Sequence, residues 1–214
     1  LVECPRDAIQ GWPHKVSTQD KIGYYRTLFE VGFDTLDLGS FVSPRAVPSM
    51  ANTAKVLMEL ENESIIQNSS TRSLVIVANE RGATQACGFD VVDDLGFPLS
   101  LSETFQQRNT GASIDEAFKR LSNIQDLCIS SNKRLVVYLS MGFGNPYGDS
   151  WHPEMLTEFS KRLSETMSVK VIALSDTVGT ADEMVIKSVF ETIIPEISGV
   201  EFGAHLHLNV VDGM

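Results

Sequence analysis

Gly199-Val-Glu-Phe-Gly-Ala-His-Leu-His-Leu208 reads as a buried strand that closes on His205-x-His207. In a strand, residues i and i+2 share a face, so both imidazoles aim at one point. Two neutral imidazoles converging from the end of a rigid strand suit a divalent metal. A pair of core or surface histidines is the plainer account of an isolated His-x-His, because imidazole has many structural uses. The acids at the other strand ends decide between the two.

Six earlier strands precede this one. Leu1 to Cys4 reads as the end of the first, with Pro5-Arg6-Asp7 at its C-terminal edge and Gly11 to His14 as loop. Ser17 or Thr18 caps a helix to about Gly32, with Ile22, Tyr25, Leu28 and Phe29 at helical spacing. Phe33 to Leu38 is the second strand, Ser43 to Pro48 a loop, Ser49 to Glu61 a helix, and Glu61 to Thr71 a polar linker. The third strand starts at Ser73 and ends at Asn79. The helix over 80–94 is weakened by Gly82 and Gly88. Phe97 to Leu101 is the fourth strand. Ser113 and Glu116 form a capping-box pattern for a helix through Ser130. Leu135 to Leu139 is the fifth strand, followed by a glycine-rich loop to Asp149, read as flexible cover over the mouth of the fold, and a helix over 152–166. Val169 to Leu174 is the sixth strand, and a helix over 181–194 leads into the seventh.

Strands alternating with helices make a parallel sheet covered on both faces. Seven such units favour a (β/α)8 TIM barrel, which takes about 250 residues. The 214 residues of this chain lack the eighth βα unit, so residues 1–214 read as a single, incomplete barrel domain.

Composition narrows the partners. The chain is 43% hydrophobic and 21% charged, which is ordinary for a globular protein. A net charge of −11 with no basic run argues against nucleic acid and anionic membranes. No run of ~18 apolar residues appears, so no membrane span is expected. Cys4, Cys87 and Cys128 have no paired spacing. They read as small buried hydrophobes in a reducing compartment.

In a (β/α)8 barrel, chemistry sits at the C-terminal ends of the strands. Polar residues gather there: Glu3, Arg6 and Asp7; Asp37 and Ser40; Asn79; Ser102 and Glu103; Asp176 and Thr177; His205 and His207. One such Asp is an ordinary helix cap; six polar strand ends are harder to explain that way. Asp7 with His205 and His207 gives an O,N,N donor set open to Mg, Mn, Fe, Co or Zn. Arg6 is a fixed cation, suited to an enolate or carboxylate oxygen or to a rim salt bridge with Glu3 or Asp37. Arg45 and Arg108, basic residues near the barrel mouth, are candidates for a substrate pocket, with solvated surface the plainer reading.

Five stretches carry a family resemblance: Glu3-Cys-Pro-Arg-Asp-Ala-Ile-Gln10, Gly39-Ser-Phe-Val-Ser-Pro-Arg-Ala-Val-Pro48, Ser102-Glu-Thr-Phe-Gln-Gln-Arg-Asn109, Ser175-Asp-Thr-Val-Gly179 and His205-Leu-His207. Together they resemble the 3-hydroxy-3-methylglutaryl-CoA lyase family, from Glu3 to His207. The resemblance implies divalent-metal-dependent retro-Claisen cleavage of an acyl-CoA substrate to acetoacetate and acetyl-CoA. It implies Mg or Mn on Asp7, His205 and His207, and Arg6 stabilising the enolate. Asp37, Asp176 and His205 would be the further catalytic groups. Gln10, Ser40, Ser102, Glu103, Asn109 and Thr177 would contact substrate. A homodimer is one assembly left open, and the resemblance implies the cytoplasm or, in a eukaryote, the mitochondrial matrix.

The chain departs from the family pattern at three places. Asp37 stands where the family usually has Glu, one methylene shorter, which predicts an Arg6 contact that is lost or bridged by water. Ala8 stands where the family usually has Gly. The family's fourth ligand, an Asn, and its catalytic Cys loop lie beyond His207, and nothing after Leu208 resembles them. Two rival readings are a Claisen-type synthase of the same superfamily, joining acetyl-CoA to a 2-oxo acid, and a non-catalytic barrel fragment.

Overall fold

A computed structural model of the chain describes residues 1–207. Its strands are β1 (Val2–Glu3), β2 (Thr35–Ser40), β3 (Arg72–Ile76), β4 (Asp94–Ser100), β5 (Arg134–Ser140), β6 (Val171–Asp176) and β7 (Glu201–Leu206). Their hydrogen-bonded order is their chain order. Pairs β1–β2, β2–β3, β3–β4, β5–β6 and β6–β7 run parallel. Parallel neighbours need a crossover between them, and a helix supplies each one. This is the strand order of a (β/α)8 barrel, with seven strands and no eighth among the described residues. Leu208, expected to close the seventh strand, lies outside the described residues.

The chain packs as two compact units. The first comprises Leu1–Gly96 with Asp126–Arg134. Its helices are α1 (Pro5–Gly11), α2 (Thr18–Val31), α3 (Thr53–Leu60), α4 (Ser64–Gln67) and α5 (Glu80–Cys87). Ser17 caps α2 by accepting from the Asp20 amide at 3.1 Å, and Gly32 ends it at φ +80°. Ile22, Tyr25, Leu28 and Phe29 are all buried, as their spacing predicts. Every residue of β2 is buried, the mark of a strand covered on both faces.

Three expectations in this unit change. The stretch after β1 is helical, with Pro5 in its first turn, so Arg6 and Asp7 ride on α1. The polar linker contains α4. β4 begins at Asp94, three residues before the expected Phe97, because two arginines neutralise that acid: Arg72 Nε lies 3.0 Å and Arg134 Nη2 2.8 Å from Asp94 Oδ2. A buried carboxylate is tolerated only when it is paired in this way.

The second unit comprises Phe97–Gln125 with the chain from Leu135 onward. It adds α6 (Glu103–Thr110), the start of α7 (Ile114–Ser130), α8 (Glu154–Lys161) and α9 (Glu183–Glu196). Helix α6 has little apolar periodicity and was not expected. Helix α7 opens on the capping box as read: the Glu116 amide donates to Ser113 Oγ at 3.1 Å and the Ser113 amide to Glu116 Oε2 at 2.8 Å. The helix expected over 152–166 starts at Glu154 and widens to a π turn at Arg162–Thr166. There Arg162 stacks 3.6 Å above the Phe118 ring. The core is built on Val137, Leu139, Ile172 and Leu174, all fully buried.

The histidine strand departs most from expectation. β7 is half-buried to exposed, not buried. It pairs with β6 in register from Val171↔Glu201 to Asp176↔Leu206. Among the described residues no further strand pairs with it, which leaves its free edge and outer side chains in solvent.

Candidate active site

In the first unit, β1 delivers the chain to α1, and the first turn of that helix presents Arg6 and Asp7 side by side. The Arg6 guanidinium is nearly buried and clamped from three directions. Nε and Nη2 both donate to Asp37 Oδ2, at 2.9 and 2.6 Å. Nη1 donates to Asp7 Oδ1 at 2.8 Å and to Gln10 Oε1 at 3.2 Å. The Arg6–Asp37 contact is therefore direct, neither lost nor water-bridged as the shorter side chain had predicted. Helix α1 carries Arg6 close enough for Asp to reach it.

Asp37 sits on β2 with no exposed surface. Burial pushes its carboxyl above the usual carboxylate range, and the Arg6 charge pulls the other way. Beside it, burial and the Asp37 charge push the Cys4 thiol up to about 12. Cys128 is likewise pushed to about 12 by burial. Neither is a thiolate at neutral pH; Cys128 is buried as expected, whereas Cys4 and Cys87 are only half-buried. Ser40 ends β2, buried, its hydroxyl accepting from the Val42 amide at 3.2 Å.

In the second unit, His205 lies on β7 one residue before its end, and His207 follows the strand. Their Nε2 atoms lie 3.2 Å apart. Two imidazoles bound cis to one ion at about 2.1 Å would place their nitrogens about 3 Å apart. The pair therefore fits a shared divalent cation. Tyr138 on β5 packs edge-on against His205, ring centroids 5.5 Å apart, and fixes the ring from the sheet side. The His207 amide donates to the Asp176 carbonyl at 3.2 Å.

Asp176, buried at the end of β6, accepts from the Gly179 amide at 3.0 Å and the Ala181 amide at 2.8 Å. It thereby shapes the loop into α9. Thr177 Oγ1 accepts from the Met141 amide at 3.0 Å and pins the start of the glycine-rich loop.

That loop is tied down rather than free. Asp149 accepts from the Ser102 hydroxyl, from the Thr104 amide at 2.9 Å and from the Thr104 hydroxyl at 2.9 Å. Asn145 Nδ2 donates to the Asp149 carbonyl at 2.9 Å, and Trp151 Nε1 donates to the Gly142 carbonyl at 3.1 Å. Ser102 is fully buried as the cap of α6. Glu103 is exposed and accepts from the Ile114 amide at 2.9 Å. Asn109 is exposed on the last turn of α6, and Arg108 lies over the Tyr147 ring at 4.9 Å.

Of the residues singled out from sequence, Arg6, Asp7, Gln10 and Asp37 thus share one hydrogen-bonded cluster, and His205 and His207 share another. Ser102, Glu103 and Asn109 belong to α6 and its tether. Sequence reasoning missed Tyr138, Asp149 and Thr104 as supporting groups. Only the abrupt end of a glycine-rich loop on an acid hinted at Asp149.

The family model described as HMGL-like matches residues 3–213. This chain belongs to the HMGL-like family. The relatives of this HMGL-like chain include lyases. The cytoplasmic 3-hydroxy-3-methylglutaryl-CoA lyase of Rattus norvegicus is 32% identical over 95% of this chain and 57% of its own length. The mitochondrial hydroxymethylglutaryl-CoA lyase of Macaca fascicularis is 31% identical over 95% of the chain and 60% of its own length. The chain therefore spans about three-fifths of these two relatives. The crystal structure of the Bacillus subtilis HMG-CoA lyase superposes with a TM-score of 0.87 at 25% identity, covering 96% of this chain and 67% of that one. An Acinetobacter baumannii HMG-CoA lyase, solved in complex with coenzyme A and 3-methylmalate, shares the fold at a TM-score of 0.87 and 23% identity, over 96% of this chain and 65% of that one. Among the described residues, no helix of this HMGL-like chain is long and apolar enough to cross a membrane.

Proposed function

We propose that the chain forms the core of a hydroxymethylglutaryl-CoA lyase, cleaving 3-hydroxy-3-methylglutaryl-CoA to acetoacetate and acetyl-CoA. The observation that carries this reading is the His205–His207 pair, its nitrogens spaced for one ion in a family whose curated relatives are lyases. Asp7, His205 and His207 would hold a divalent cation, magnesium or manganese. When bound, the cation supplies Lewis-acid stabilisation of the substrate's oxygens.

The chain's own residues supply the rest. Arg6 is held rigid by Asp37, Asp7 and Gln10. A rigid cation aimed at the thioester oxygen stabilises the enolate without reorganising. Loss of the substrate's tertiary hydroxyl proton to a carboxylate drives breakage of the C–C bond. Asp176 is the candidate base, because its two backbone donors keep the carboxylate oriented. Ser40 and Thr177 stand at strand ends where they could face substrate. A coenzyme A complex of a structural neighbour supports an acyl-CoA as the substrate class.

The test is acetoacetate production from hydroxymethylglutaryl-CoA with Mg or Mn. It would use this chain and a chain extended through an eighth βα unit, with Asp7→Ala and His205→Ala as controls. Metal-dependent product that disappears in both controls supports the reading. Silence of both chains, or condensation of acetyl-CoA with a 2-oxo acid in place of cleavage, overturns it.

A further inference from the structure

Tyr25 lies on α2 with no exposed surface, and its hydroxyl has no hydrogen-bond partner. A buried tyrosine hydroxyl normally finds one, and leaving it unpaired is costly. Asp37 Oδ1 is the complementary case. It is a buried carboxylate oxygen without a partner, while Oδ2 of the same group takes both Arg6 contacts. One atom is a donor and the other is only an acceptor. Both belong to the first unit, where α2 packs against β2. The carboxylate is close enough that the Asp37 and Arg6 charges are both felt at the Tyr25 phenol.

We infer that Tyr25 is a positioning residue, its hydroxyl donating to Asp37 Oδ1 through one bridging water and thereby fixing the plane in which Asp37 holds Arg6. This deepens the lyase reading above and rests on it for its catalytic consequence. The physical need is specific. The Gly39 amide also acts on the Asp37 carboxyl, yet with Oδ1 unpartnered the carboxylate plane can rock about χ2 and loosen the two Arg6 contacts on Oδ2. A donor on Oδ1 blocks that rotation. A phenylalanine would fill the same volume and could not.

Tyr25→Phe removes only the hydroxyl, and solvent exchange of the Arg6 Nε–H, followed by NMR, reads the clamp without any activity assay. A hydrogen bond to a charged group carries about 1.5–3 kcal/mol, or roughly 10–100-fold. The expected result is exchange about tenfold or more faster in the variant, with kcat lowered on a similar scale and KM unchanged. Unchanged Arg6 exchange overturns the inference, whatever the enzyme does. If the parent is silent in the cleavage assay, the lyase reading fails and the exchange measurement still decides this one. Should Tyr25→Phe not fold, the unsubstituted protein decides. A slowly exchanging Tyr25 hydroxyl proton supports the pairing, and its absence from tyrosine-labelled protein overturns it.

Discussion

Arg6 shows how a single charge can be both buried and useful. Its guanidinium is almost out of water, which is tolerable only because three acceptors surround it. Removing one partner of such a pair leaves the other charge stranded, at a cost of about 3–5 kcal/mol. Asp37→Ala should lose about that much stability in urea denaturation. Arg6→Met combined with Asp37→Leu should recover most of it, because the stranded charge is then gone. A double variant no more stable than Asp37→Ala would refute this account of the pair. The sequence made Arg6 a candidate beside Asp7, but the direct reach of Asp37 depended on α1, a helix too short for periodicity to reveal.

The glycine-rich loop between β5 and α8 is the element whose character changed most. Its glycines suggest freedom, yet Asp149 fastens it to the first turn of α6. Hydrogen bonds from Ser102 and Thr104 hold the Asp149 carboxyl below the usual carboxylate range. A depressed folded value means that the tether contributes stability above the ordinary Asp value of about 3.9 and loses it as pH falls through the lower folded value. The loop should therefore stay closed at pH 5 and open only under stronger acid. Trp151 fluorescence would follow it, since that indole donates into the loop. Asp149→Asn should abolish the acid transition. A transition that persists unchanged would show that Asp149 is not the fastening. Helix α7, by contrast, was legible to the residue because its capping box and stripe are local.

At the scale of the whole molecule, a ligand that binds only the folded chain raises its stability by mass action, about 2.7 kcal/mol at a hundred times Kd. Magnesium or manganese should raise the melting temperature of this chain, a chelator should reverse the rise, and His205→Ala should be insensitive to both. An equal response in the variant would place the cation elsewhere. Because β7 has a partner on one side only among the described residues, the histidines sit at a half-exposed sheet edge. Solvent there competes for ligand and ion, so the shift in the 214-residue chain should be smaller than in one extended through an eighth βα unit.

Local signals were enough for the order of the seven strands, the parallel sheet class, the capped starts of α2 and α7, and the His-x-His pair. Each of these depends on residues within a few positions of one another, where periodicity and capping act. What required the folded chain lies between residues distant in sequence. The Arg6–Asp37 clamp spans 31 positions and the Asp149–Ser102 tether 47. The early start of β4 needed two arginines from other strands. The exposure of β7 followed from its neighbours and not from its own apolar residues. Burial and pairing belong to the packed neighbourhood, and that neighbourhood is set only when distant segments meet.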